Sequence, residues 1–422
     1  MICMRRAIVR RLLLAGVIPP LIWISIVALA PTGWARARVA ARLTEAAHQP
    51  ATVGSLRLGW FGGLRAGDIR VGDPAAPGGV WLRAEEVRVD IGICTLAMGR
   101  CRPTKIRVDG LDLRIHRRLD GTFASGEWLL ASPAPSTPSD PRVSSDVEVP
   151  LAVELGRGRI TVVDEPLDTR LVLTGVEGHA TRRDHRTAIE DLHGRLNGGL
   201  VELVAEVDRS GDVPAIEANV RARGVALDGG LRVLGYFAPA LGGPDGAMSG
   251  NLDAMVYVRG RGRSGREVSA SLVGQGAIRL DPIRLDGSPF LAELAGAIGP
   301  HAAGASVGSI KTDFRIANRR VASENLTLHV AGVPIVLAGW TDFDGRVDYR
   351  FRPGTLAGRL SGRAREALAD LSIDVGGTGE IRVAGTLDRP TVTVDGKAPP
   401  TGREIEAKLR RVGRQLRREL LR

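Results

Sequence analysis

The chain has 422 residues, 44% of them apolar, with only 4% aromatics, 54 glycines and three cysteines. That length supports a large core or several domains; the mixed charges exclude a disordered polyelectrolyte, and the cysteines are too few for a disulfide-built scaffold. The net charge of +11 sits at the ends: residues 1–42 sum to +7, residues 401–422 to +5 and everything between to −1, which excludes the basic body of a nucleic-acid-binding protein.

The amino end opens with a short tail, residues 1–11, carrying Arg5, Arg6, Arg10 and Arg11. Leu12–Ala30 follows without a charge, long enough as a helix to cross the hydrocarbon layer. The pattern predicts a single-pass transmembrane helix, with a cleaved signal peptide as the alternative because Ala28 and Ala30 are small. A juxtamembrane helix is predicted over 34–48, with Trp34 at the interface. The expected topology leaves residues 1–11 on the cytoplasmic side of a membrane and the bulk of the chain beyond it.

From residue 52 to 395 the dominant signal is period-2 alternation of apolar and polar residues, the mark of half-buried strands. A first sheet segment is predicted over 51–130, a Pro/Ser-rich loop over 131–149, and the main β-body over 150–400. In Leu200–Asp208, Val201, Leu203, Ala205 and Val207 share one face; in Arg320–Val330, Leu326, Leu328 and Val330 do. Asp-Gly and Gly-Gly pairs, beginning with Asp109–Gly110, mark turns. Short connections favour an antiparallel meander. Two short helices, Leu231–Ala240 and Pro289–Ile298, are too few to cover so much sheet. The expected fold is therefore mainly β: a closed sandwich, or an elongated, curled antiparallel sheet, a taco-like β-groove with a hydrophobic interior.

The carboxyl end returns to helix at 401–422. Thr401 and Glu404 form a capping box, and Ile405, Leu409, Val412, Leu416 and Leu420 make one stripe among arginines. This basic amphipathic helix is expected either to pack on the last strands or to contact anionic lipid.

Catalytic and metal motifs are missing where they would be visible. Gly260-Arg-Gly262-Arg-Ser-Gly265 matches a dinucleotide fingerprint literally, but Glu267–Leu285 reads as strand where that motif requires a helix. His179, His185 and His193 have no metal-ligand spacing. The reading is of a protein that is not an enzyme, with no cofactor. Cys94 and Cys101 bracket a bend and are a candidate disulfide, with two separate thiols as the alternative.

Several stretches, taken in order, resemble the AsmA family of bacterial envelope proteins, including its TamB-like branch. They are Val53-Gly-Ser-Leu-Arg-Leu, Asp68-Ile-Arg-Val, Ala84-Glu-Glu-Val-Arg-Val-Asp-Ile, Ile106-Arg-Val-Asp-Gly-Leu-Asp-Leu, Phe314-Arg-Ile-Ala-Asn and Gly385-Thr-Leu-Asp-Arg-Pro. The resemblance implies an inner-membrane-anchored periplasmic protein supporting outer-membrane biogenesis or integrity. It would hold or move phospholipid acyl chains in a β-groove, or act as a non-catalytic scaffold for envelope proteins. Val201, Leu203, Val207, Leu326, Leu328 and Val330 are the candidate groove residues. The implied partners are phospholipid or another acyl lipid, the inner membrane and envelope proteins, with no nucleic acid.

Overall fold

A computed structural model describes residues 32–47, 49–59, 63–72, 81–91, 103–117, 150–165, 169–227, 232–239, 247–286, 307–330, 333–351 and 380–394. Among these are seventeen strands, two α-helices and one 3-10 turn, Arg232–Tyr236. The chain divides into two compact units: residues 1–225 with 256–272, and residues 226–255 with 273–422.

The first unit begins with α1 (Gly33–Ala47), where the Ala35 amide donates to the Thr32 hydroxyl at 3.4 Å as an N-cap. Strands β1 (Ala51–Leu58), β2 (Gly63–Val71), β3 (Leu82–Ile91) and β4 (Pro103–Arg117) follow, then β5 (Leu151–Asp164), β6 (Thr169–Arg183), β7 (Arg186–Leu196), β8 (Gly199–Asp208) and β9 (Ala215–Ala226). Each is hydrogen-bonded to the next, antiparallel except for β4 and β5, which run parallel. A parallel pair needs a crossover rather than a hairpin, and the long stretch between Arg117 and Leu151 supplies the chain for one. Strand pairing is thus continuous across the Pro/Ser-rich segment. The β7–β8 hairpin turns on Asn197 (φ 46°) and Gly198 (φ 82°), the left-handed pair that a type I′ turn requires.

Helix α1 lies on one end of this sheet. Ala35, Val39, Leu43 and Ala47, one face at helical spacing, pack on Leu56, Ala66, Ile69, Val71 and Ala84. Arg36 donates to the Gly54 carbonyl at 2.9 Å and the Ala51 amide to the Thr44 hydroxyl at 3.0 Å, fixing helix to β1.

Strand β10 (Ala247–Arg261) leads into α2 (Gly265–Ser271) and then β11 (Val273–Asp286). The expected strand over Glu267–Leu272 is corrected: Ser264 caps a helix by accepting from the Glu267 amide, and Glu267 returns to accept from the Arg263 amide at 2.8 Å. The Ser264 cap, braced by Glu267 on the residue before it, overrides the local alternation. The Glu267 carboxylate also occupies this turn, leaving the Gly260–Gly265 run unlike a nucleotide cradle.

In the second unit β11, β12 (Val307–Ala317), β13 (Arg320–Val330), β14 (Val333–Asp342), β15 (Arg346–Phe351), β16 (Ile381–Thr386) and β17 (Pro390–Val394) pair in succession, all antiparallel. One face is a dry core. Leu280, Ile310 and Leu328 are each 0% exposed and stand in one registered row with Ile335. Tyr349 is equally buried, its hydroxyl 3.2 Å from that of Thr341. Burial pushes the phenol up to about 12, so it stays a neutral hydrogen-bonding group.

Several expectations are corrected. The sheet is mixed rather than antiparallel, because β4 and β5 are parallel. The strongly curled, closed form is not found: among the described residues β1 and β9 are not hydrogen-bonded to each other, nor are β11 and β17. Asp109–Gly110 is not a turn; it lies inside β4, which runs on to Arg117. Among the described residues no helix is long and apolar enough to cross a membrane. The apolar face of α1 is consumed by the sheet, and the predicted span Leu12–Ala30 lies outside the described residues. The inner-membrane anchor, the single-pass topology and the envelope role built on them therefore have no spanning helix among the described residues to rest on. The predicted helix over 401–422, with Ile405, Leu409, Val412, Leu416 and Leu420, also lies outside the described residues, as do Cys94, Cys101 and Pro289–Ile298.

Candidate functional site: an open apolar sheet face

The register of the first unit carries the alternation of each strand into rows that run across the strands. Leu64, Val89, Ile106, Val153, Ala180, Ile189, Ala205 and Ala218 stand side by side from β2 to β9. The adjacent row is Ala66, Val87, Val108, Leu155, Gly178, Leu192, Leu203 and Val220. At about 4.8 Å per strand, eight strands make rows about 34 Å long.

The opposite face is charged in the same register. Arg65, Arg88, Arg107, Glu154, His179 and Asp191 form one row. Glu154 receives Lys105 and Arg107, both at 2.6 Å. The Lys105 hydrogen bond is the main cause holding its carboxyl below the usual value, with Arg107 adding to it against desolvation. Arg88 donates to both oxygens of Glu86, at 2.8 and 3.0 Å. The histidines join this face as ion-pair partners: His193 lies 3.3 Å from Asp191 and 4.0 Å from Glu177, and His179 lies 3.9 Å from Glu154.

Exposure separates the two ends of the apolar rows. Under α1, Leu56 and Ala66 are 4% and 6% exposed. Beyond it, Ile106, Val108, Val153, Leu155, Ile189, Leu192, Leu203 and Val220 are all half-buried. Aliphatic side chains in register, partly open to solvent over six strands, are the site's defining feature.

The structure sorts the sequence-predicted groove residues into two environments. Val201, Leu203 and Val207 share the half-open face, opposite Ala222, Val220 and Ile216 of β9. Leu326 and Leu328 are fully buried in the second unit, against Leu337 and Ile335. Val330 pairs through its backbone with Val333. Sequence reading missed Ile106, Val108, Val153 and Leu155 as members of the face, although their strict alternation in β4 and β5 was a usable signal. Their union across a parallel pair was not.

Among the described residues no group of three or more His, Cys, Asp or Glu side chains is placed to hold a metal ion. No family model matches the chain, and no curated protein or solved structure matches it.

Proposed function

We propose that the chain is a non-catalytic binding protein that lays acyl chains, of phospholipid or another lipid, along the open apolar rows of its first unit. One observation carries the reading: a registered band of half-exposed Val, Ile, Leu and Ala crosses β4 to β9 while the reverse side of the same strands is ion-paired. Each methylene that such a band removes from water contributes about 0.8 kcal/mol. A saturated chain has no polar group to satisfy, which suits a face made of aliphatic side chains. The ordered likeness of stretches within residues 53–113 and 314–390 to the AsmA family supports the same ligand class. Acids and histidines on the reverse face are engaged in surface ion pairs rather than directed at one another, which supports a role without catalysis.

The test compares two aspartates on neighbouring positions of β8. Leu203 is on the apolar side; Val204 is 52% exposed on the charged side. Titration with a fluorescent fatty acid is expected to show affinity weakened tenfold or more by Leu203→Asp and unchanged by Val204→Asp, with both proteins melting near the wild type. Equal affinities for the two variants would end the acyl-face reading.

A further inference from the structure

The second unit carries a shallow cleft of about 410 Å³ on its charged face, lined chiefly by Trp340, Arg346, Asp348, Arg382, Ala384 and Thr386. It is on the side of the sheet away from the Leu328 and Tyr349 core, since Trp340, Asp348 and Ala384 are cross-strand neighbours in one row. The acyl-binding reading does not use it.

The charges of this cleft are unevenly satisfied. Arg382 binds Asp348 through two hydrogen bonds, Nε to Oδ1 at 2.8 Å and Nη2 to Oδ2 at 2.7 Å. That fork holds the Asp348 carboxyl below its usual value and fixes the Arg382 guanidinium, leaving its Nη1 outside the fork. Arg320 is stacked over the Trp340 ring, 4.1 Å from its centroid, which orients the indole. Arg350 is occupied by Glu380 at 3.8 Å. The Arg346 side chain is exposed and pairs with no carboxylate among the described residues, its backbone amide alone donating to Asp342 at 2.8 Å. Arg320, Arg346 and Arg382 stand against Asp348 and Asp342, whose carboxylate accepts from the Arg346 and Asp344 amides at 2.8 and 3.0 Å, which leaves one positive charge in excess around an indole wall. A phosphomonoester carries between about −1.5 and −2 at neutral pH, and a guanidinium fork matches its oxygens in pairs.

We propose that this cleft binds an organic phosphate, with the phosphoryl group on Arg346 and the free edge of Arg382 and its apolar or planar body against Trp340. Ala384 is what keeps the floor open: it stands directly opposite Asp348, and a longer side chain there would fill the space.

Calorimetric titration of the purified full chain with phenyl phosphate tests the site. Binding is expected to weaken at least tenfold in Arg346→Ala and in Ala384→Leu, and several-fold in Arg346→Lys, which keeps the charge but loses the fork. Trp340→Phe should weaken phenyl phosphate and leave inorganic phosphate unaffected. Because the Arg346 side chain is exposed and pairs with no carboxylate among the described residues, its alanine variant should melt with the wild type. Phenol binding as tightly as phenyl phosphate, no phenyl phosphate binding by the wild type, or an unchanged Arg346→Ala protein would each overturn the proposal. Vesicles containing phosphatidic acid identify the source of the phosphate. Loss of vesicle binding in Arg346→Ala assigns a lipid headgroup; loss of phenyl phosphate binding alone assigns a soluble ester.

Discussion

Leu328→Asp places a carboxylate in the most tightly sealed row of the second unit. Leu328 is 0% exposed, and its cross-strand neighbours are Ile310, also 0% exposed, and Ile335, at 4%. Removing a buried leucine side chain costs about 2–5 kcal/mol. The polar group left behind has no partner among those neighbours and adds roughly 1–3 kcal/mol even in its neutral form. The sum is on the order of 5 kcal/mol, comparable with the whole stability of many domains, and for a unit of this size it lowers the melting midpoint by about 10–20 °C. Leu203→Asp on the half-open face of β8 leaves water within reach and should cost under about 2 kcal/mol. Far-ultraviolet circular dichroism melts of the two variants beside the wild type make the comparison. A Leu328→Asp protein melting within about 3 °C of the wild type would refute the packed-core assignment of that row.

Gly339→Ala should destabilise the second unit by about 1–3 kcal/mol, because an added Cβ meets the Asp348 carbonyl oxygen and the Tyr349 Cα of the adjoining strand; chemical denaturation measures it. The Asp348–Arg382 pair gives an acid-limb prediction. Its folded-state carboxyl titrates below the ordinary 3.8, chiefly because Arg382 hydrogen-bonds it. The resulting stability is therefore fully present above the unfolded value and lost as pH falls through the folded one. Denaturation midpoints from pH 6 to pH 2 should show Asp348→Asn less stable than the wild type at the upper end, with the gap closing below pH 4.

Single strands were legible because alternation is a local signal. Arg186–Leu196, Arg320–Val330 and Arg346–Phe351 can be drawn from sequence with the ends that the structure gives them. Three other features depend on partners far along the chain. The parallel pairing of β4 with β5 is fixed by contacts across the segment between them, not by either strand's pattern. The environment of each apolar face is also non-local: Val201–Leu203–Val207 and Leu326–Leu328 have the same alternation, yet one set is half-open and the other sealed. The cleft joins Trp340 and Arg346 to Arg382, 36 residues beyond Arg346, and no motif links them. The Glu267–Leu272 error was local. Ser264 caps the helix, braced by Glu267, and that signal outweighs two or three alternating residues.

The apolar rows survive because strand irregularities are aligned with one another. In β1 to β6 two sets of apolar positions lie five residues apart: Leu56 and Ala51, Ala66 and Val71, Val87 and Leu82, Val108 and Leu113, Leu155 and Ile160, Gly178 and Leu173. In a regular strand an odd separation puts the two residues on opposite faces, and half of every row would turn toward the charged side. Between the sets lie Asp68 (φ 50°), Gly110 (φ 66°), Arg157 (φ 52°) and Gly175 (φ 59°), one left-handed residue in each of β2, β4, β5 and β6. A residue in that region interrupts the pleat and returns the next side chain to the first face. The left-handed conformation costs a non-glycine residue such as Arg157 on the order of 1 kcal/mol. That cost is offset by keeping Leu113, Ile160 and Leu173 in line with Val108 and Leu155. The continuity of the proposed acyl-binding face is thus set less by its aliphatic residues than by the line of left-handed residues that keeps them on one side.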